Sequence, residues 1–179
     1  MEQVTQKWSY SLILTLISFG KVFERIRTSS KSQFRGVFDV QGDVISNLNM
    51  NSSSSQYAGL FGYSEGLVIK NVILDSSCSI TSAFNASGRV FAGGIICYCK
   101  KWNNWPCNIE NNVNMGNVTF SGDIIDSYFV YLGGIVGYLY SDYSPEYNST
   151  IKICVNYGFL SHTLEQERYH SLGNCWLFW

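Results

Sequence analysis

Few residues in this chain are of types that do chemistry, and their spacing limits what that chemistry is. Asp39, Asp43, Asp123 and Asp126 are carboxylates set in or beside turns of otherwise apolar sequence. Two carboxylates about 5 to 10 Å apart on an open sheet face would serve glycoside cleavage. None of the four recurs with a basic partner. Asp123 follows Ser121-Gly122, where a turn takes Asp or Gly for backbone reasons. His162 and His170 share a polar stretch and show no Ser/His/Asp or Cys/His grouping. The six cysteines are Cys78, Cys97, Cys99, Cys107, Cys154 and Cys175. Cys97-Tyr98-Cys99 with Cys107 lacks the paired two-residue spacing of structural zinc. The expectation is therefore no catalytic residue, no metal and no cofactor. An even number of cysteines permits disulfides in a secreted chain, with the pairing open, and at least two cysteines read as small buried apolar side chains.

Binding is the other chemistry the residue types allow. Lys100-Lys101-Trp102-Asn103-Asn104-Trp105-Pro106 and Tyr140-Ser141-Asp142-Tyr143-Ser144-Pro145-Glu146-Tyr147 are aromatic, polar insertions, and each holds one of the chain's two prolines. Trp102, Trp105, Tyr143 and Tyr147 are candidate contacts for a sugar ring or a protein surface. The competing reading is that these aromatics fold back over the side of the scaffold.

The elements that must carry these loops repeat. Tyr57-Ala58-Gly59-Leu60-Phe61-Gly62-Tyr63 matches Phe91-Ala92-Gly93-Gly94-Ile95-Ile96-Cys97-Tyr98, and that matches Tyr131-Leu132-Gly133-Gly134-Ile135-Val136-Gly137-Tyr138 after 40 residues. Downstream, Leu67–Ile73, Asn108–Gly116 and Thr150–Gly158 form a second matching set. The β-branched and aromatic runs between Gly, Asn and Ser turns read as short strands. Gly59, Gly62, Gly93, Gly94, Gly133, Gly134 and Gly137 are the structural glycines of the unit, with Gly59, Gly94 and Gly134 expected one above another. Asn71 aligns with Asn111 and Asn114 with Asn156, which predicts side-chain amide ladders between stacked copies. The expectation is an all-β, parallel β-helix-like solenoid of about three repeats. A unit of about 40 residues suits two turns of about 20, giving about six turns and a rod of about 30 Å. Leu172-Gly173-Asn174-Cys175-Trp176 is read as a broken fourth copy, 40 residues after Leu132–Val136, or as an apolar plug ending at Trp179.

Residues 1–30 form an apolar leader, 31–160 the repeats, and 161–179 the degenerate start or plug. The leader's run from Ser9 to Gly20 is too short to span a bilayer. It reads as a signal peptide cleaved after Gly20 or as a capping helix. Four sequons begin at Asn51, Asn85, Asn117 and Asn148. Formal net charge is −1, which gives no electrostatic reason to expect nucleic acid. No transmembrane segment is expected.

The phrases YAGLFGY, FAGGIICY and YLGGIVGY, with the following IKN, IENN or IKIC and VNMG or VNYG, resemble the GLUG-motif repeats of surface proteins. Phe34-Arg35-Gly36-Val37-Phe38-Asp39, continuing to Leu48, resembles their lead-in. The resemblance covers Phe34 to Gly158. It implies a parallel β-helix-like fold in large secreted or cell-surface, adhesin-like proteins, where such repeats lie outside any catalytic part. The chain departs from the pattern at Val40 (usually Gly), at Cys97 (aligned with Gly62 and Gly137) and at Ile153, which replaces a ladder Asn. Family members often carry Cys at the position of Cys154, which implies a core thiol there. The chain is shorter than typical members, which suggests a fragment of a longer array or a degenerate copy. The functional expectation is a non-catalytic module for adhesion or display, extracellular or at the cell surface, with a glycan or host-surface protein as partner. The alternatives are a carbohydrate-active β-helix enzyme and a truncated product without activity of its own.

Overall fold

The computed structural model describes Ile26, residues 33–85, 88–123, 129–140 and 148–162, and the backbone of 176–178. The leader apart from Ile26, the insertion from Ser141 to Tyr147, Asp126, His170 and the break before Trp176 lie outside the described residues. The protein is all-β, and every strand pairing in its sheets is parallel. Among the described residues there is no helix, so none is long and apolar enough to cross a membrane.

Four sheets account for the strands. In sheet I, β1 (Phe34–Asp39) and β5 (Phe61–Lys70) are followed by β9 (Ile96–Lys100) with β10 (Asn108–Glu110), then β14 (Val136–Tyr140) with β15 (Thr150–Lys152). Sheet II stacks β2 (Val44–Ile45), β6 (Ile73–Leu74), β11 (Val113–Asn114) and β16 (Val155–Asn156). Sheet III stacks β3 (Asn49–Ser52), β7 (Ser79–Ser82), β12 (Asn117–Phe120) and β17 (Leu160–His162). Sheet IV stacks β4 (Tyr57–Ala58), β8 (Val90–Gly93), β13 (Val130–Gly133) and β18 (Trp176–Phe178). The chain thus visits sheets I to IV in order and begins again, making four passes.

The pass is longer than the expected 20-residue turn. Ser46 meets Asp75 of the next pass 29 residues on, and Asn114 meets Asn156 42 residues on. One matched unit therefore makes one pass, not two. Four passes at a strand spacing of about 4.8 Å place the outermost strands about 15 Å apart, half the expected rod length. The short strands explain the difference: a two-residue strand leaves corners that no alternation pattern marks.

Inward side chains make one continuous core. One column runs Phe38, Ile69, Ile109 and Ile151, and another Met50, Ile80, Val118 and Leu160. Phe61, Phe120, Leu60, Leu74 and Ile95 are fully buried between them. Burying such side chains contributes about 1.5 to 3 kcal/mol each, the largest stabilising contribution in a fold with little charge.

The aligned phrases fall in register, with two corrections. Gly59 continues the column of Gly93 and Gly133, whereas Gly94 lies against Gly134. The expected Gly59–Gly94–Gly134 column is off by one, because the first phrase has one residue fewer between the paired strands. The fourth copy is also shifted: Trp176 pairs with Tyr131 and Leu177 with Leu132, not Trp176 with Val136. The connection between β17 and β18 is longer than that between β12 and β13, which moves the match from Leu-Gly to aromatic-Leu.

The corner between sheets I and II needs a residue with positive φ. Asn71 (59°), Asn111 (51°) and Ile153 (53°) take it in successive passes. Asn tolerates this region, and a β-branched residue does not. Ile153 is 77% exposed, so its strain is not offset by burial. Ile153→Asn is expected to raise stability by about 1–2 kcal/mol, by relieving the strain and extending the ladder from Asn111. A rise in the urea midpoint at constant slope is the check, and no rise would show that the site relaxes around isoleucine.

Candidate functional site

Strand β5 runs unbroken along sheet I, while the third pass needs two strands, β9 and β10, to cover the same length. The insertion between them is the first aromatic one. A disulfide joins Cys99 to Cys107 across its base, eight residues apart. Trp102 and Trp105 form a tight hairpin: Trp102 N–H donates to Trp105 O at 3.0 Å, and Trp105 N–H donates to Trp102 O at 2.9 Å. Asn103 and Asn104 form its exposed tip, and Asn103 takes the positive φ (51°) that such a turn requires.

The hairpin lies back over β5. A Cβ built on Gly66 would stand 2.9 Å from the Cβ of Trp105 and 3.4 Å from that of Trp102. Gly66 also has φ +56°, so only glycine satisfies both the backbone and the loop above it. The Arg35 guanidinium sits 3.9 Å over the Trp102 ring and donates to Glu65 Oε2 at 2.6 Å. Gln33 Nε2 also donates to Glu65 Oε2, at 3.3 Å, and the Tyr63 hydroxyl donates to Oε1 at 3.4 Å. Glu65 is buried, so its charge depends on these partners. Burial, followed by the neighbouring Glu65 carboxylate, raises the Tyr63 phenol above its ordinary value. Trp102 is thereby clamped to the first pass through Arg35, while Trp105 remains 50% exposed.

Beside the hairpin, two columns of rings climb the corner between sheets IV and I. Tyr57, Phe91 and Tyr131 stack with centroids 5.5 and 5.2 Å apart. Tyr63, Tyr98 and Tyr138 stack at 4.8 and 5.5 Å. The columns meet edge to face, with Phe91 and Tyr98 at 5.1 Å and Tyr131 and Tyr138 at 4.7 Å. Their faces are taken by their own neighbours, so the columns are a packing device, with Tyr63 and Phe91 buried and the other four rings partly buried. Each repeat phrase begins with an aromatic and ends with Tyr, and that is the signal by which the columns could have been found.

The amides form two ladders. On the outside, Asn111 Nδ2 donates to Asn71 Oδ1 (2.8 Å), and Asn71 Nδ2 donates to Asp39 Oδ1 (2.7 Å). In the interior, Asn114 Nδ2 donates to Asn156 Oδ1 (2.9 Å) and to Gly116 O (2.9 Å), and Asn114 Oδ1 accepts from Gly116 N–H (3.0 Å). Asn156 Nδ2 donates likewise to Gly158 O (2.8 Å). The VNMG and VNYG phrases are thus Asn side chains satisfying the backbone two residues on. Buried Asn112, which sequence reasoning missed, accepts from Val72 N–H at 2.9 Å and donates to Ile69 O at 3.2 Å.

The remaining candidates are dispersed. Asp39 is paired with Lys70 at 3.2 Å, while the Asp123 N–H donates to Asn85 Oδ1 at 3.1 Å beyond sheet III. Asp43 lies at the corner before β2, and His162 ends β17. Asp39 and Asp43 flank one turn, Asp123 and His162 lie away from it beside sheet III, and among the described residues no group of three or more His, Cys, Asp or Glu forms. Cys78 and Cys97 are buried thiols and Cys154 is partly buried; burial raises the Cys78 thiol to about 11, which makes it inert. Cys97 stands where Gly62 and Gly137 stand, and its Sγ fills the space that Gly59 leaves. Tyr143 and Tyr147 lie outside the described residues. Comparison with protein-family models, with curated proteins and with solved structures found no match to this chain.

Proposed function

We propose that this chain is a non-catalytic β-solenoid module related to GLUG-repeat proteins, exposed outside the cell, which presents the Trp102–Trp105 hairpin to a glycan or a surface protein. The observation that carries this reading is the hairpin's construction. It is an insertion into a stacked sheet, closed by a disulfide, clamped on one side by Trp102 and Arg35, and open on the other at Trp105, Asn103 and Asn104. An indole face beside two amides suits a pyranose ring and its hydroxyls, and a loop fixed before binding loses little entropy when it binds. A disulfide suits an oxidising compartment, and the sequon residues Asn51, Asn85, Asn117 and Asn148 are all exposed. The repeat itself supplies stacking rather than reaction chemistry: the Asp39 carboxylate is engaged by Lys70 and Asn71, and that of Asp75 by Ser46 and Ser77.

Trp105→Ala, in a chain that retains Trp102, tests this on a glycan array and on intact cells. The expected result is at least a tenfold loss of binding with an unchanged melting temperature, since a half-exposed ring contributes little to the core. Cys99→Ser with Cys107→Ser is expected to weaken binding too, and to lower stability by about 2–3 kcal/mol through lost loop restraint. Binding unaffected by Trp105→Ala at unchanged stability would remove the hairpin from the function.

A further inference from the structure

The two ends of the stack differ. At the first pass, the inward residues Phe38, Ile45, Leu48 and Met50 are buried. At the fourth pass the same columns open to solvent: Ile109 is 0% exposed and its partner Ile151 48%. Leu160, which ends the Met50 column, is only partly buried, and the outer edges of β15, β16 and β17 pair with no strand among the described residues.

What would cover this edge is written in the outward column next to it. In register along sheet I stand Asp39, Lys70, Glu110 and Lys152, so the charge alternates from pass to pass. Directly opposite charges on neighbouring strands attract, and like charges repel. The column ends on a cation.

We propose that the β15–β17 edge receives an extended segment of another polypeptide, added as parallel strands, that carries an acidic residue opposite Lys152 and apolar residues opposite Ile151 and Leu160. Such addition satisfies the backbone groups of the edge and covers its apolar residues in one step. A second copy fits less well. The inward side chains of its first pass are already buried and its Asp39 is engaged by Lys70 and Asn71, while the described residues of its fourth pass contain no carboxylate. The required pattern occurs within the chain itself at Ile109, Glu110 and Val118, which pair with Ile151, Lys152 and Leu160 from the inner side. The proposal does not depend on the hairpin, and its failure would leave the binding reading intact.

A fluorescent peptide with the sequence of residues 108–120 is the probe, titrated against the full chain by anisotropy, with a second peptide carrying Lys in place of Glu110. The acidic peptide is expected to bind at least tenfold more tightly than the basic one. Lys152→Glu is expected to reverse that order. Lys152→Glu also sets two carboxylates opposite each other at Glu110, so the control for folding is a cooperative melting transition, lowered only slightly. Equal affinity of the two peptides, no saturation by either below about 1 mM, or a preference that Lys152→Glu leaves unaltered would overturn the proposal. So would self-association in sedimentation velocity that excludes the peptide, because the edge would then belong to a second copy.

Discussion

Replacing Gly94 by alanine is expected to destabilise the protein by about 4 kcal/mol or more, against about 0.5 kcal/mol or less for the same change at Gly88. A Cβ on Gly94 would stand 2.1 Å from the Gly134 carbonyl oxygen and 2.9 Å from the Asn114 side chain. The oxygen belongs to the backbone of the next pass, so no rotamer change can admit the methyl group. Either the fourth pass lifts away from the third or the corner unwinds. At Gly88 the nearest atom is the Gln56 Oε1, 3.9 Å away. Both substitutions remove the same backbone freedom from the unfolded chain, so their difference isolates the close approach. Urea denaturation of the two variants is the measurement. Equal midpoints would mean that the passes are not packed as closely as the Gly94–Gly134 contact requires.

That contact shows why part of this fold was legible in the sequence and part was not. Ile69, Ile109 and Ile151 stand in one column because a parallel stack puts equivalent residues of successive passes side by side, so the spacing of the phrases gives the register directly. The Asn71–Asn111 and Asn114–Asn156 alignments rest on the same property. Pitch has no such signature. An interval of 40 residues fits one wide pass or two narrow ones, and the choice depends on corners built by two-residue strands such as β6 and β11. The shift of the fourth copy arises similarly: Leu-Gly recurs by chance at Leu172, whereas the aromatic-Leu step at Trp176-Leu177 is what pairs with β13. At the hairpin, the insertion was visible as composition, but its orientation was not. Trp102 is held by Arg35 and Glu65, residues of two earlier passes, and only the stack brings them together. Trp105 differs from Trp102 in that, among the described residues, no cation stands over its ring.

Asn114→Ala is expected to cost about 2–4 kcal/mol, although it deletes only a small polar group from an apolar interior. The intuition that removing a buried amide helps a hydrophobic core fails here, because the partners stay behind. The Gly116 N–H and C=O lose the side chain that satisfies both, and Asn156 Oδ1 loses its donor. A buried group left unsatisfied costs about 1–3 kcal/mol, and the corner between sheets II and III has no strand pairing to substitute for it. Asn114→Leu fills the same volume and is expected to destabilise nearly as much, which separates lost hydrogen bonds from a cavity. The variants also connect the two halves of the repeat phrase. Gly94 makes room for the Asn114 amide, so once Asn114 is alanine, part of the clash in Gly94→Ala disappears. A double-mutant cycle on Gly94→Ala and Asn114→Ala is therefore expected to give a coupling of about 1 kcal/mol, with the pair less damaging than the sum. Strict additivity would separate the Gly-Gly phrase from the Val-Asn-x-Gly phrase energetically. A coupled cycle would explain why the two phrases travel together along the chain: each repeat unit folds its amide into the notch that its own glycine leaves open.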